Sequence, residues 1–482
     1  MGGVSIFKKA LPYIICALFV FFYATLSLIR HNHFESYGFD LGVSDQVIWQ
    51  YSHFQAPITT VHYYPYASIL TDHIELIYAP LSVFYWLWND VRMILIVQAA
   101  FLCFSGLPLF FLAREKKIKP MLCYALLLGY LMFYGLQNAL WFDVHSAVFG
   151  ASFLAWFIYF LDKKNYKLAA LFFILTIICK ENMAMLTFLV STTYFIMRRD
   201  KRDLFFPFFS CVYLFLIFGI YFPHFTERGY EYQSTKGLLG DINLLNFVNT
   251  PNKREVFLVS LGNFGFLPFL SPLSLIPFFG DLFSYFVIGN NIKEADGIFM
   301  HYRVTLAALL TWSTILAVTR VKRLNNISIA LYLVLCAFVM QYALHLPLSY
   351  LTKSWFWTEQ TSVQNIDKML TYLPADASVV AQNNISPHIA HRKEVFTAWP
   401  TEKKFVKNSP CGKEKCHWII WKSTTPRYFV VDTSNNWDIR HFLADRKDFI
   451  DAVQNMEKAG FIKKKQQVGN AVLYDVLKQS PQ

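Results

Sequence analysis

Long apolar runs separated by short polar breaks fill the chain up to about Tyr350, and charged residues return after it. Recurrent runs of roughly 20 apolar residues are required by a bilayer but not by a water-soluble core. The pattern predicts a mainly α, polytopic transmembrane bundle of about ten spans in residues 1–350. The polar remainder, residues 351–482, predicts a small α/β domain, and residues 30–90 form the first external loop.

Composition agrees with this pattern. Charged residues make up 16% of the chain, against about a quarter in an average soluble domain. The first apolar run follows Lys8 and Lys9, is too long for a signal-peptide core and ends without a small-residue cleavage site. We therefore expect an uncleaved first helix whose N-terminus is cytoplasmic.

The orientation of the chain in the membrane is predicted from the basic breaks between the apolar runs. The most basic of them are REKKIK (114–119), DKKNYK (162–167), RRDKR (198–202) and RVKR (320–323). Short Lys/Arg-rich loops stay cytoplasmic during insertion, so these breaks account for most of the net charge of +12 without a nucleic-acid site. Alternation then predicts a multi-pass protein of the cytoplasmic membrane with an extracytoplasmic C-terminal domain. This topology requires the proline-interrupted segment 257–286 to be a hairpin that crosses the membrane twice. A single span there would invert the last two helices and place RVKR (320–323) outside the cytoplasm.

In the tail, ISPHIAHR predicts a helix with Ser386 as its cap and Pro387 at its first position, RYFVVDT predicts a buried strand, and RKDFIDAVQNMEKAG predicts a helix that ends at Gly460. No glycine-rich phosphate loop is present in the sequence of the tail, so nucleotide binding is not predicted. Cys411 and Cys416 lie in this external tail, where a disulfide is permitted. A zinc half-site is the alternative, although no second ligand pair stands nearby. The other six cysteines fall in apolar spans, where they are expected to be small buried hydrophobic residues.

The first external loop contains FDLGVSDQVIW, with Asp40 and Asp45 five residues apart. Asp45 suits the first turn of an amphipathic helix, where the helix dipole favours a carboxylate. Asp40 has no such local explanation. A carboxylate near the lipid interface has a raised pKa unless it is paired, which suits a general base.

Two further polar stretches are predicted on the same face. TDHIE carries Asp72, His73 and Glu75, and WFDVHS carries Asp143 and His145. Asp72 and His73 are candidate metal ligands, or His73 is simply interfacial. Asp143 and His145 suit acid/base or metal chemistry, or an ordinary helix cap.

In CKENMA, Lys180 and Glu181 interrupt a long apolar stretch. Ionisable residues at membrane depth indicate function, whereas the alternative is a tight turn from which Lys180 reaches the interface. His301 and Arg303 begin a later helix on the same face and are candidates for contact with an anionic headgroup. No comparable charges occur at mid-depth and no clear internal repeat is detected, which favours an enzyme for a lipid-linked substrate over a transporter.

The phrases FDLGVSDQVIW, DHIELIYAPL, ALWFDVHS, CKEN, ADASVVAQNNISPHIAHR and YFVVDTS resemble the bacterial membrane-protein family DUF2079. That family distantly resembles the GT-C glycosyltransferases. The resemblance implies a many-spanning helical fold, a catalytic acid in the first external loop, a polyprenyl-phosphate-linked sugar as donor and an extracytoplasmic acceptor.

By this resemblance Asp40 is the general base, and Asp45 supports it or binds a metal such as Mg²⁺ or Mn²⁺, for which Asp72 is a second ligand. Lys180 and Arg303 hold the donor phosphate. The other residues expected to line the cleft are His73, Glu75, His145, Glu181 and His301. The remaining alternatives are a non-catalytic binding or assembly protein of the cell envelope and, third, a transporter.

Overall fold

The structure is a computed structural model that describes residues 2–62, 65–227, 229–230, 244–287, 296–404, 411, 414–421 and 426–480. The chain forms two compact units, each described separately below. The helical unit comprises Met1–Ser27, Leu70–Ile77 and Leu95–Lys353. The sheet unit comprises Leu28–Ile69, Tyr78–Ile94 and Ser354–Gln482. The predicted boundary at residue 350 stays a prediction.

Helices build the first unit, and most are apolar on several faces. They are α1 (Gly2–Asn32), α4 (Val91–Phe104), α5 (Gly106–Glu115), α6 (Pro120–Leu131), α7 (Tyr134–Trp141), α8 (Ser146–Asp162), α9 (Tyr166–Ile177), α10 (Met183–Arg198), α11 (Phe205–Phe215), α12 (Phe222–Phe225), α13 (Pro251–Asn263), α14 (Ile276–Phe286), α15 (Val304–Arg320) and α16 (Ile327–Ala343). The helices Val43–Ser52 (α2) and Tyr78–Leu81 (α3) belong to the sheet unit.

The expected count of about ten spans is not confirmed. Among the described residues, 3 segments are long and apolar enough to cross a bilayer: Lys9–Asn32, Val91–Glu115 and Lys201–Phe225. The pair α6 and α7, bent by 41°, would be a fourth. The other apolar helices have 10–17 residues, because polar breaks and prolines divide the runs. The predicted number of spans rests on the length of the apolar runs, which does not show where a run is divided into separate helices.

Two helices nevertheless expose broad apolar surfaces. On α16 the exposed side chains recur every three or four residues, as on one helical face: Ile327, Leu331, Leu335, Phe338 and Tyr342. In the segment Lys201–Phe225, only 22% of the most apolar window is buried within the protein. Such continuous apolar surface is what a lipid-facing helix presents.

In the predicted hairpin 257–286, α13 ends at Asn263 and α14 begins at Ile276. Two 3-10 turns, Leu267–Leu270 and Pro272–Leu275, connect them. Proline is accommodated at the first positions of these turns, where its missing N–H costs nothing.

The sheet unit combines first-loop residues with the tail. Its helices are α2 (Val43–Ser52), α3 (Tyr78–Leu81), α17 (Ser354–Trp357), α18 (Thr361–Leu370), α19 (Ile439–Phe442) and α20 (Arg446–Lys458). Its strands are β1 (Ile58–Thr59), β2 (Ala67–Ser68), β3 (Val379–Ala381), β4 (Val395–Thr397), β5 (Trp399–Lys404), β6 (Lys415–Ile420), β7 (Tyr428–Asp432), β8 (Ile462–Val468) and β9 (Ala471–Val476).

Five of these strands form one mixed sheet in the order β4-β3-β7-β9-β8. β3 is parallel to β4 and β7, while β9 is antiparallel to β7 and β8. β5 and β6 form a separate antiparallel hairpin in which Trp399 is opposite Ile420. The fully buried β7 is the central strand, as its continuous apolar sequence predicts.

The expected α/β character of the tail is therefore present. The helix expected from Ser386 is only a 3-10 turn, Ser386–Ile389, and Ser386 is not its side-chain cap. The helix expected to end at Gly460 is α20, and Gly460 has a φ of +68°, which suits glycine.

Candidate functional site

Several ionisable residues of the helical unit gather where short loops meet. We call them the polar cluster, defined as His73, Glu75, His145, Ser146, Lys180, Glu181, Tyr230 and His301. The loop of residues 70–77 packs against the turn between α9 and α10, since the Ile77 amide donates to the Ile178 carbonyl at 3.1 Å. Residues distant in sequence are thereby brought together.

Glu181 is fully buried in that turn and accepts three hydrogen bonds. The donors are the His73 imidazole Nδ1 at 2.8 Å, the Tyr230 hydroxyl at 2.8 Å and the Ile74 amide at 3.1 Å. Burial opposes ionisation, but His73 and Lys180 outweigh it and lower the pKa of Glu181 to about 2. Burial also opposes the charged form of His73, yet the Glu181 carboxylate leaves the pKa of His73 raised. The two side chains form a buried ion pair.

Glu75 is a second buried carboxyl group, 6% exposed, and it accepts a hydrogen bond from the Ser146 hydroxyl at 2.6 Å. Burial raises its pKa above the ordinary value, although His73 and Lys180 act in the opposite direction. A carboxyl group in this environment can take up and release a proton closer to neutral pH than an exposed one.

Lys180 is half-buried, and its ammonium has no hydrogen-bond or ion-pair partner among the residues that the structure describes. Its positive charge nevertheless acts on Glu75, Glu181 and His73. A partly exposed ammonium without a partner can accept an anionic ligand, because no existing bond has to be broken.

His145 and His301 stack with their ring centroids 3.5 Å apart. His301 is 7% exposed, and burial together with the charge of His145 holds its pKa well below the ordinary value. Its buried Nδ1 has no hydrogen-bond partner within the described part of the chain. The neutral ring therefore offers one unused polar atom to a water or a ligand.

Arg303 was expected to hold phosphate, but the structure places it in the interior. Its side chain is fully buried, and its guanidinium lies over the rings of Tyr285 and Phe286 at 4.8 and 5.0 Å. Its Nε donates to the Gly297 carbonyl at 3.2 Å. This arrangement suits a structural arginine, with the charge stabilised by ring faces and a carbonyl.

The first-loop aspartates belong to the sheet unit and differ from each other. Asp45 is fully buried in the first turn of α2, where its Oδ1 accepts hydrogen bonds from the Tyr85 hydroxyl and from His391 Nε2, the latter at 2.8 Å. The His391 side chain is 21% exposed and stacks on Trp49. Burial disfavours its protonated form, but Asp45 outweighs this effect and raises the pKa of His391.

Asp40 is half-buried in an irregular helical turn, Gly38–Gly42. The Gly38 amide fixes this turn by donating to the Asn383 main-chain carbonyl at 2.7 Å. A Cβ atom at Gly38 would collide with the Ser386 hydroxyl, so this close approach requires glycine.

His391 and Tyr85 were missed by the sequence reasoning. Their partner Asp45 is 346 residues from His391 in the chain, and no local pattern joins residues so far apart. The repeated histidine in the phrase SPHIAHR was the one available signal.

Asp45 and Asp72 are the residues predicted to bind Mg²⁺ or Mn²⁺. Across the described ranges, no group of three or more His, Cys, Asp and Glu side chains is arranged to hold a metal ion. Asp45 Oδ1 accepts hydrogen bonds from Tyr85 and His391, while its buried Oδ2 has no partner in the described part of the chain. Asp72 is half-buried in the loop before α3, and the role of both residues as metal ligands stays a prediction.

Cys411 and Cys416 form a disulfide with their Cα atoms 6.0 Å apart. The other cysteines are free, and most are buried as expected. Cys211 is exposed, because α11 presents much of its surface outward, so the expectation of burial was wrong for this residue.

The apolar helices and the buried polar cluster define a helical membrane protein with an additional mixed-sheet unit. A family model described as "Predicted membrane protein (DUF2079)" matches residues 30–447, which is most of the chain. The protein therefore belongs to this family of predicted membrane proteins. No curated protein matches the chain.

Proposed function

We propose that the protein is a membrane glycosyltransferase that moves a sugar from a polyprenyl-phosphate donor to an extracytoplasmic acceptor. One observation carries the proposal. In a protein of a membrane family, the partly exposed ammonium of Lys180 lacks a partner among the described residues and lies in a cluster of buried ionisable groups. An anionic lipid phosphate at the membrane boundary is the ligand that this arrangement suits.

In the proposed reaction, an acceptor hydroxyl oxygen forms a bond to the anomeric carbon of the sugar. The bond from that carbon to the phosphate oxygen breaks, and the polyprenyl phosphate leaves with the electron pair. Negative charge then increases on the phosphate. Lys180 supplies fixed positive charge that stabilises the phosphate as this negative charge develops, whereas the charge of His73 is neutralised by Glu181. Arg303 has no role in this step because its guanidinium is already engaged.

The proton of the acceptor hydroxyl requires a base, and we assign this role to the first loop. Asp40 is the proposed general base, since it is half-buried and stands in a turn fixed by the Gly38 amide. Asp45 is proposed as a positioning residue that orients His391, because its Oδ1 already accepts two hydrogen bonds. A carboxylate that orients an imidazole fixes its tautomer and increases its basicity.

The proposal includes a location in the cytoplasmic membrane, with a cytoplasmic N-terminus and the C-terminal residues outside. The basic breaks support this orientation. A lipid-linked donor suits such a location, because the polyprenyl group stays in the membrane while the sugar is transferred to an external acceptor.

The test uses purified full-length protein in liposomes with a panel of polyprenyl-phosphate sugars, with and without Mg²⁺ or Mn²⁺. Wild type is compared with Lys180→Gln and Asp40→Asn, and Lys167→Gln, which removes an equal charge from an exposed position, is the matched control. We expect donor consumption to fall about 100-fold in the first two variants, the order found for loss of one charge-stabilising or proton-transferring group. Lys167→Gln should retain full activity.

Equal consumption by wild type and Lys180→Gln would contradict the proposal. Failure of wild type to consume any donor would favour the second reading, a non-catalytic binding protein of the cell envelope.

A further inference from the structure

The sheet unit contains a cavity of about 440 Å³, and Phe39, the neighbour of Asp40 in the chain, is one of its lining residues. Its walls come from β4, β5, the end of β6 and the first loop. Pockets for small ligands have volumes of roughly 300–1,000 Å³, so the cavity is large enough for a ligand of modest size.

Aromatic rings supply much of the wall. Phe39, Phe396, Trp399 and Trp421 all line the cavity. Phe39 and Trp399 meet at an angle of 69° with centroids 5.2 Å apart, so the two ring planes form a corner. The face of an aromatic ring carries negative charge density and attracts weakly positive C–H groups. The corner therefore suits a ligand with C–H-rich surfaces.

Two of the lining residues each carry a buried polar atom that has no hydrogen-bond partner in the described ranges. These atoms are the indole Nε1 of Trp421, a residue that is 2% exposed, and the hydroxyl Oγ1 of Thr401. Buried donors nearly always find an acceptor, because leaving one unpaired loses a hydrogen bond to water without replacement. A ligand with oxygen acceptors would provide the missing hydrogen-bond partners of Trp421 and Thr401.

The charge of the residues that line the cavity further limits the chemical class of the ligand. Lys403 lines the cavity, and no aspartate or glutamate is among its described lining residues. A cationic ligand is thus disfavoured. A hydrocarbon chain would leave the Trp421 and Thr401 donors unpaired, whereas a sugar ring presents C–H groups on its faces and oxygen acceptors around its edge.

We propose that this cavity binds a saccharide, neutral or acidic, whose ring packs on the aromatic corner while its oxygens accept hydrogen bonds from Trp421 and Thr401. The assignment does not depend on the transferase proposal. The cavity would bind a saccharide equally in a protein that binds glycans without modifying them.

The test titrates the purified full-length protein in nanodiscs with glucose, galactose, N-acetylglucosamine, glucuronic acid, maltose and cellobiose, and measures dissociation constants by calorimetry or saturation-transfer NMR. Indole and decanoate are the comparison ligands. Thr401→Val deletes one donor and preserves the shape of the side chain. Trp421→Phe deletes the other donor together with the five-membered ring of the indole. Trp418→Phe is the matched control, because Trp418 pairs with Thr401 in the same hairpin but does not line the cavity.

We expect at least one sugar to bind, with its affinity reduced about fivefold or more in each donor-deletion variant, the size expected for one buried hydrogen bond. Trp418→Phe should bind like wild type. The proposal is overturned if no sugar of the panel binds, if indole or decanoate binds in their place, or if neither Thr401→Val nor Trp421→Phe weakens sugar binding. Thermal unfolding temperatures equal to that of wild type exclude misfolding as the cause of a lost affinity. If Trp421→Phe does not fold, the isosteric Thr401→Val variant alone decides the test.

Discussion

Lys180 and Glu181 are adjacent in the chain, yet the structure uses them in different ways. Glu181 is fully buried and accepts three hydrogen bonds, so its charge is completely compensated. Lys180 is half-buried and has no such partner within the described residues. A compensated buried charge maintains structure, whereas an uncompensated and accessible one is available to a ligand. We therefore assign stability to Glu181 and binding to Lys180.

The Glu181–His73 pair predicts a specific dependence of stability on pH. The pKa of Glu181 is lowered from 4.5 to about 2, so its contribution is present above pH 4.5 and disappears as the pH falls toward 2. The pKa of His73 is raised above 6.5, so its contribution is present below pH 6.5 and is lost as the pH rises through the raised value. The pair therefore stabilises the fold most between these limits.

Glu181→Gln should lower the free energy of unfolding by about 3 kcal/mol near pH 6, since it breaks a buried ion pair. It should also remove most of the stability loss that wild type shows as the pH rises from 6.5 through the raised pKa of His73. Thermal unfolding in nanodiscs across this range measures both effects. Glu115→Gln, which breaks the exposed Lys163–Glu115 pair, is the control and should cost less than about 1 kcal/mol. Equal losses in the two variants would contradict the assignment.

At the scale of elements, the break between α6 and α7 shows why apolar length alone did not give the number of spans. The apolar run from Met121 to about Gln137 has the length of a single span, but α6 ends at Leu131 and α7 begins at Tyr134 with a bend of 41°. Gly135, at the start of α7, lies against the backbone of Arg303, and an added Cβ would come within 2.4 Å of the Arg303 carbonyl oxygen. Tertiary packing of this kind leaves no periodic signal in the sequence.

Gly135→Ala should destabilise the protein by about 1–3 kcal/mol, because a backbone atom, unlike a flexible side chain, has little room to move away. Gly129→Ala is the matched control in α6. Its added Cβ would lie 3.5 Å from the Phe264 ring, an ordinary contact, and alanine favours a helix by about 1 kcal/mol over glycine. Thermal unfolding of the two variants should therefore give shifts of opposite sign or very different size. Similar destabilisation would show that the packing at Gly135 is not specific.

Some elements could be predicted from the sequence and others could not. The buried strand β7 and the amphipathic helix α20 were predicted because a continuous apolar run or a regular polar alternation marks them. Strand β8 was missed because five of its seven residues are exposed and three of these are lysines. Edge strands often carry such charges, which prevent further pairing. The β5–β6 hairpin, which carries the aromatic cavity, likewise lacks a regular apolar pattern.

At the scale of the whole molecule, residues 28–69 and 78–94 and the tail from Ser354 belong to one compact unit. Gln46 in α2 connects the two segments of this unit. Its side-chain Nε2 donates to the Thr60 hydroxyl at 2.9 Å and to the Arg392 carbonyl of the tail at 3.0 Å. The sequence suggested the polar groups of the loop but gave no sign that they pack within the tail's unit, because the two segments are separated by most of the helical region.

We therefore predict that residues 351–482, produced alone, will not unfold cooperatively. The fragment lacks residues 28–69 and 78–94, which complete the unit, so residues such as His391 lose their hydrogen-bond partners. Chemical denaturation followed by tryptophan fluorescence measures this, with the same region in the full-length protein as reference. A sharp transition in the isolated fragment would instead support an independent domain with the boundary at residue 350.

The central claim is that Lys180 helps to bind a lipid-linked phosphate in the helical unit. The most direct measurement compares the dissociation constants of a polyprenyl monophosphate and of the corresponding uncharged polyprenol, for wild type, Lys180→Gln and Lys167→Gln in nanodiscs. We predict that wild type and Lys167→Gln bind the phosphate form at least about tenfold more tightly than the alcohol, as expected for a hydrogen bond to a charged group. In Lys180→Gln this preference should disappear. Equal affinity for the two lipids in wild type, or a phosphate preference unchanged by Lys180→Gln, would contradict the claim.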